Sequence, residues 1–565
     1  MKSVSGKNWE ELVISKRLVD KTKIDYDLSI NQAKLAVLRD FNEIELFSIK
    51  NKVNFTNPFL KDKDFLLATK LLNDNINKKN KILIIGDYDV DGCISTSLMV
   101  NFIKSFNLNV KYYIPDRFKD GYGASLKLIR ELILKQKPSL LIFLDCGSNA
   151  HEAIEFARNN KVKSFIIDHH NAEQPLPLSD ILINPKKDKS NTLDYFCSAF
   201  LTFFFIDCYL KQYKLKMSIK ENLIYVLLAT VADIMPLRNI NRIMAINVLN
   251  NFDINKNYII QNLLRISKVK KKLEIDDLGF LIAPIFNSAG RIENANQIVE
   301  LLTTTSEEKI IYILNKIYKL NLKRKLIEKR NLKNINFKDL THQKGIIFIY
   351  KSNIPLGIIG IIAAKIKEYF NRPCVVFTNS GKIIKGSARS TDDFNIGEYI
   401  NKALKEKILL NGGGHNLAAG ISISKDKLNL FKEFLNKYLI KSHSKFVNNF
   451  ISKISINSIN KDLVNEINLL GPFGNKNDYP IYLIENVKLI KPSLINNNFV
   501  TCYAKSGNRM IKCISFNQIN SEISYEIINS KKNMDLLVKI KENKWNNKSS
   551  IQLEIIDVIK SVNKT

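Results

Sequence analysis

The stretch GDYDVDG, Gly86 to Gly92, sets the carboxylates Asp87, Asp89 and Asp91 at alternate positions and closes on a glycine. Such a pattern opens an EF-hand calcium loop, but that loop needs a glutamate at its twelfth position and a helix ahead of its first. The twelfth residue from Asp87 is Leu98, and the acids follow Lys81-Ile-Leu-Ile-Ile85. A short apolar run of this kind reads as a buried strand. The acids therefore ride on a loop after a strand, and their partners must come from elsewhere in the chain. LIFLDCG places Asp145 after a second apolar run, FIIDHH ends a third in Asp168, His169 and His170, and ATVADIMPL delivers Asp233. Each alone could be a helix cap, a turn residue or a salt-bridge partner. Gathered at one place, so many acids would repel unless a cation sat among them. Mixed carboxylate and imidazole donors favour Mn²⁺, accept Mg²⁺ or Zn²⁺ and disfavour calcium. A carboxylate such as Asp145, opposite Asp89 and Asp91, could bridge two ions, an arrangement suited to phosphoryl chemistry.

The elements that must position these residues alternate. Strand-like runs at 82–85, 110–114, 140–144 and 164–167 are separated by helix-length segments, which predicts a doubly wound parallel α/β domain. Ligands of such sheets gather beyond the carboxyl ends of the strands, where these acids fall. Residues 1–78 read as a helical region packing on that domain, which spans 79–240. A helical connector follows at 241–342, ending in a long charged helix from Glu307 to Asn334 that bridges two domains. A second α/β unit is expected over 343–450, opening with a strand at 345–350 and carrying a glycine-rich loop at 411–420. Short strands at 500–503, 510–515, 535–541 and 551–559 predict a C-terminal OB-like β-barrel over 451–565.

Composition narrows the class. The 565 residues hold seven cysteines without a CxxC pair, a polar amino-terminal stretch and no apolar run long enough to span a bilayer. The reading is a cytoplasmic protein in a reducing compartment, with no membrane partner. The formal charge of +31 fits a polyanionic partner, although a chain rich in Lys, Asn and Ile also carries the mark of AT-rich coding. Against that lysine background the arginines Arg117, Arg238, Arg242, Arg291 and Arg389 suggest work that needs a planar fork, such as gripping a phosphate. The Lys268–Lys272 cluster reads as a solvated loop.

GDYDVDG, LDCG, DHH and TVADIMPL, in this order, resemble the four motifs of the DHH phosphoesterase superfamily. IPDRFKDGYG at 114–123, FNSAGRI at 286–292, KGSARS at 385–390, GGGHNLAAG at 412–420 and GPFG at 471–474 resemble the RecJ family of single-strand-specific 5′→3′ DNA exonucleases. The resemblance implies Asp89, Asp91, Asp145, His169 and Asp233 as ligands of two Mn²⁺ or Mg²⁺ ions, with Asp87 beside them. It implies His170 as a contact to the scissile phosphate, and Arg117, Asn287, Arg291, Ser387, Arg389 and His415 as substrate-binding residues. It further implies a monomer that acts on single-stranded DNA in repair and recombination, with a helicase and a single-strand-binding protein as partners. Ile354-Pro355-Leu356 stands where the family has a Trp-His type pair before Gly357, and Ala364-Lys365 where Ser-Arg is common. Two rival readings stay open: a phosphodiesterase for short RNA or cyclic dinucleotides, and an inactive DNA-binding relative.

Overall fold

A computed structural model describes residues 1–117, 119–120, 123–269, 272–381, 383–441, 447–495, 499–517, 521–529, 531–545 and 548–560. Phe118, Gly121 and Tyr122 of the IPDRFKDGYG stretch, and Lys270 and Lys271 of the lysine cluster, lie outside them. The chain divides into two units: Thr56–Met235 with Asn251–Ser444, and Met1–Phe55 with Pro236–Asn250 and Lys445–Thr565. The segment expected as one helical region over 1–78 is thus shared, its last helix, Lys63–Asn77, lying in the first of these units.

The first unit is built on two sheets. One is wholly parallel, in the spatial order Lys111–Tyr113, Ile82–Ile85, Leu140–Leu144, Lys163–Ile167, Ile181–Ile183. Ile82–Ile85 and Leu140–Leu144 are buried at every position, because helices cover both faces and leave no polar side to alternate with. Ile181–Ile183 extends the sheet beyond the four expected strands; at three residues it is too short to show a period. The strand order reverses between Ile82–Ile85 and Leu140–Leu144, so the loops leaving their carboxyl ends open a crevice at that switch point.

The second sheet runs Asn411–His415, Ala418–Ile423, Ile383–Arg389, Cys374–Ser380, Ile347–Tyr350, antiparallel except for its last pair. The expected glycine-rich loop is instead a hairpin, with Gly412–Gly414 inside its first strand and His415 paired with Ala418 across a two-residue turn. Between the sheets runs the helix Glu307–Lys333, with Glu307 and Glu308 in its first turn and Arg330 and Lys333 in its last, matching its dipole. Ile310, Ile313, Leu314, Ile317 and Leu320 form its buried stripe. It touches the helix Ala283–Ile292 through Ser288 Oγ to Ile317 O at 3.2 Å, and the helix Ile359–Phe370 through the Lys365–Glu328 ion pair. The long helix therefore bridges the two halves of this unit, as its sequence predicts.

The second unit contains a closed barrel in the order Tyr482–Ile495, Phe499–Ser506, Arg509–Ser515, Lys548–Lys560, Met534–Trp545. Arg509–Ser515 pairs in parallel with Lys548–Lys560, and the helix Glu522–Asn529 links Arg509–Ser515 to Met534–Trp545, which is OB-like topology. Asn8–Glu11 pairs in parallel with Val447–Phe450, and Trp9 Nε1 donates to Asp557 Oδ2 at 3.0 Å. Two of the arginines expected to grip phosphate are spent inside this unit. Arg238 forks onto buried Glu45 at 2.8 and 2.9 Å. Arg242, fully buried, donates to Ser48 Oγ and to the carbonyls of Leu469 and Leu470. Both guanidinium groups lie about 5 Å from the Phe41 ring centre. The planar fork is used at both positions, but its partners are a carboxylate and helix-end carbonyls instead of a phosphate.

Candidate active site

Strand Ile82–Ile85 ends in the acid loop, which runs directly into the helix Val90–Lys104. Asp89 caps that helix, accepting from Gly92 N at 3.0 Å. The turn closes so tightly that a Cβ on Gly92 would lie 2.6 Å from Asp87 N and O, which fixes glycine there. Asp91 points across to the start of helix Ser198–Gln212, where Ser198 N and Ala199 N donate to its two oxygens at 2.7 and 2.8 Å. Asp145 follows Leu140–Leu144 with φ of +61°, a left-handed conformation that aspartate tolerates better than most residues. Its Oδ1 accepts from Ser198 Oγ at 2.9 Å, while its buried Oδ2 has no hydrogen-bond partner among the described residues. Asp233 caps the carboxyl end of helix Leu223–Ala232.

These elements converge. His169 Nε2 lies 3.3 Å from Asp233, 3.4 Å from Asp145 and 3.7 Å from Asp91. Asp87 and Asp145 are both 1 % exposed, and Asp87 Oδ1, like Asp145 Oδ2, is buried without a partner among the described residues. Three donor sets result, each with its atoms within 4.8 Å of one another: Asp87, Asp89 and Asp145; Asp91, His169 and Asp233; Asp145, His169 and His170. Asp145 belongs to two of them.

The electrostatics show a cluster short of positive charge. Burial, then the charge of Asp89, raises Asp87 to about 7 and Asp91 to about 6. Burial and the neighbouring carboxylates push Asp145 and Asp233 well above the usual range. Burial, followed by the charge on His170, holds His169 well below its ordinary value, so its imidazole is neutral and fit to be a ligand. Unpartnered buried oxygens, hard donors and a neutral imidazole together fit a divalent cation.

His170 behaves in the opposite way. Its Nδ1 lies 2.8 Å from Asp168 Oδ1, which also accepts from the backbone of His169 and His170. Burial works against its charge, but Asp168 outweighs it and lifts His170 to about 10. Asp168, Ser148 and Asn184 form the frame. Ser148 N donates to Asp168 Oδ2 at 3.1 Å, and Asn184 Nδ2 donates to Ser148 Oγ at 2.7 Å and His170 O at 2.8 Å. Sequence reading gives no role to Asn184 or Ser148, nor to Lys186, whose charge reaches His169, Asp233 and His415. The INPKK run after a buried strand is the available signal for Asn184 and Lys186.

A basic pocket belongs to the same unit. Burial and then the charges of Arg117 and Arg389 lower Arg291 to about 9, and burial and Arg117 lower Arg389. Arg291 Nη1 donates to Gly357 O at 3.2 Å, so backbone beside the Ile354-Pro355-Leu356 departure still meets this pocket. Asn287 lies one turn ahead of Arg291 on the helix Ala283–Ile292. Arg389 Nη1 donates to Ser387 Oγ at 3.2 Å, the two residues sharing one face of their strand. The helix Ile359–Phe370 begins without a side-chain cap, and a Cβ on Gly360 would stand 3.0 Å from Arg389 Nη2. This uncapped helix start, with Arg389 beside Gly360 and Arg291 on Gly357 O, has the charge and the free backbone donors that suit an anion. His415, at the hairpin end, feels both Arg389 and His170 and is lowered by burial and their charge.

Residues 81–231 match the DHH family, N-terminal domain, residues 343–441 the DHHA1 domain, and residues 452–557 the RecJ OB domain. The chain is 28 % identical over 546 residues to the single-stranded-DNA-specific exonuclease RecJ of Bacillus subtilis, covering 93 % of this chain and 67 % of that protein. With the single-stranded-DNA-specific exonuclease RecJ of Haemophilus influenzae it shares 27 % over 530 residues, covering 88 % and 90 %. Its fold matches the crystal structure of RecJ in complex with Mn²⁺ from Thermus thermophilus with a TM-score of 0.82, at 20 % identity, over 98 % of this chain and 80 % of that one. With the DHH, DHHA1 and RecJ OB domains in this order, the chain is similar to the RecJ exonucleases over most of its length.

Proposed function

We propose that this chain is an exonuclease that degrades single-stranded DNA from its 5′ end and releases 5′-mononucleotides. The observation that carries the reading is the pairing, within one unit, of an under-neutralised acid and imidazole cluster with a pocket of three mutually repelling arginines. A pair of Mn²⁺ or Mg²⁺ ions, held by Asp89, Asp91, Asp145, His169 and Asp233, would supply the charge that acidifies an attacking water and offsets charge gathering on the phosphate. The chain's own groups do the rest. Asp87, lifted to about 7, exchanges a proton with the cluster near neutrality. His170, charged and steadied through Nδ1 by Asp168, donates through Nε2 to an oxygen of the scissile phosphate. Arg117, Arg291, Arg389 and Ser387 hold the terminal phosphate, with Asn287 and His415 lining its approach, and so fix which phosphodiester meets the cluster.

The RecJ OB domain supports single-strand binding through backbone charge and base stacking. No helix among the described residues is long and apolar enough to cross a membrane. On this reading the protein is a cytoplasmic monomer of DNA repair and recombination, working with a helicase and a single-strand-binding protein. The test is digestion of 5′-end-labelled single strands with Mn²⁺ by wild type and Asp145→Ala. Wild type releases labelled mononucleotide, and the variant loses more than about a hundredfold in rate. Equal rates would overturn the site, and release of label from duplex at the single-strand rate would overturn the substrate.

A further inference from the structure

The acid loop and the arginine pocket share one residue. Tyr88 stands between Asp87 and Asp89, and its ring centre lies 4.2 Å from the guanidinium carbon of Arg117. Its backbone is held as well as its ring. A Cβ on Gly290 would lie 2.5 Å from Tyr88 O, so the helix that carries Arg291 rests directly on the acid loop at this residue. Arg291 in turn donates to Gly357 O, which continues the contact into the second sheet's half of the unit.

We propose that Tyr88 is a positioning residue: it holds Arg117 for a strand's terminal phosphate and couples occupation of that pocket to the placement of Asp87 and Asp89. The inference deepens the nuclease reading and rests on it. Three half-buried guanidinium groups repel, so Arg117 needs an attractive partner to stay beside Arg291 and Arg389. A carboxylate would hold it but would cancel the charge that the phosphate requires. An aromatic face attracts the cation while leaving that charge whole, and the attraction strengthens in a desolvated setting. A phosphate that draws the three arginines together pulls on Arg117, hence on the Tyr88 ring, and hence on the peptide between two of the acids. The consequence is a 5′-phosphate effect on turnover as well as on binding.

The test compares wild type, Tyr88→Phe, Tyr88→Leu and Tyr88→Met, as full chains with matched thermal midpoints, on one oligonucleotide bearing either a 5′-phosphate or a 5′-hydroxyl. Affinity is read by fluorescence anisotropy in EDTA, and kcat with Mn²⁺. Tyr88→Phe keeps the ring face and both preferences for the phosphorylated strand. Tyr88→Leu and Tyr88→Met lose roughly tenfold of the binding preference, and their ratio of kcat between the two strands falls toward one. Met serves as the second ringless variant should Leu fail to fold. Retained wild-type ratios in either ringless variant would overturn the inference, as would equal losses on both strands, which mark a merely structural role. A binding preference that depends on the ring, in a protein that cuts neither strand with Mn²⁺, would keep Tyr88 as the holder of Arg117 and overturn the coupling together with the nuclease reading.

Discussion

Two buried clusters of charge in this protein are organised in opposite ways. In the barrel-bearing unit, Glu45 accepts from Arg238 twice, from Asn239 N and from Asn42 N, and Arg242 ends on a hydroxyl and two carbonyls. In the crevice of the parallel sheet, Asp87 and Asp145 each keep a buried oxygen without a partner among the described residues, and their pKa values rise with burial and with the repulsion among the acids. The first cluster is complete in itself. The second is stable only at a cost that a bound cation would remove. Satisfaction of polar groups, not burial or residue type, separates the structural charges from those kept for chemistry.

Breaking one member of each cluster should give opposite results. Asp145→Asn, which keeps an αL-tolerant side chain, should lose more than about a hundredfold in Mn²⁺-dependent single-strand digestion while the thermal midpoint in EDTA holds or rises. Glu45→Gln leaves Arg238 without its carboxylate, and should cost about 3 kcal/mol in urea unfolding with the rate per folded molecule within about twofold. A metal titration sharpens the contrast. Because Asp87 and Asp91 titrate near 7 and 6 when folded, above the ordinary carboxylate value of 3.8, the folded state binds more protons than the unfolded one. In EDTA, stability should therefore fall as pH rises from about 4 through 7. With Mn²⁺ at a hundred times its dissociation constant it should instead gain about 2.7 kcal/mol at pH 8. A midpoint indifferent to Mn²⁺ at pH 8 would break the comparison. The smallest effect is expected at the frame: Asp168→Asn should cost roughly tenfold in rate and move the alkaline limb of the pH–rate profile toward neutrality, because His170 loses the carboxylate that keeps it charged.

The acids at the strand ends are legible in the sequence because apolar runs buried on both sides stand out and each ends in a charged residue. Other features are hidden for physical reasons. The barrel's first strand, Tyr482–Ile495, breaks its alternation at two register shifts, with Asn486 and Lys491 in left-handed conformations and Pro492 within it. Gly412–Gly414 reads as a loop because glycine is rare in strands, yet here it forms half of a hairpin. Arg238 and Arg242 share the side chain of Arg117, Arg291 and Arg389, so only their partners tell them apart. The backbone donors that hold Asp91 come from Ser198 and Ala199, and hydrogen bonds from peptide groups leave no trace in residue type.

That last contact bears on how the protein meets changing supplies of metal. The start of helix Ser198–Gln212, with its partial positive charge, stands in for part of a cation by holding Asp91 in place. The loop thus has a resting position close to its working one. On the proposed reading, chelation empties the centre without scattering its ligands, and reloading is a matter of diffusion and desolvation with no refolding. Activity should then return within the mixing time when Mn²⁺ is restored, which lets such an enzyme follow the cell's metal supply instead of its own synthesis.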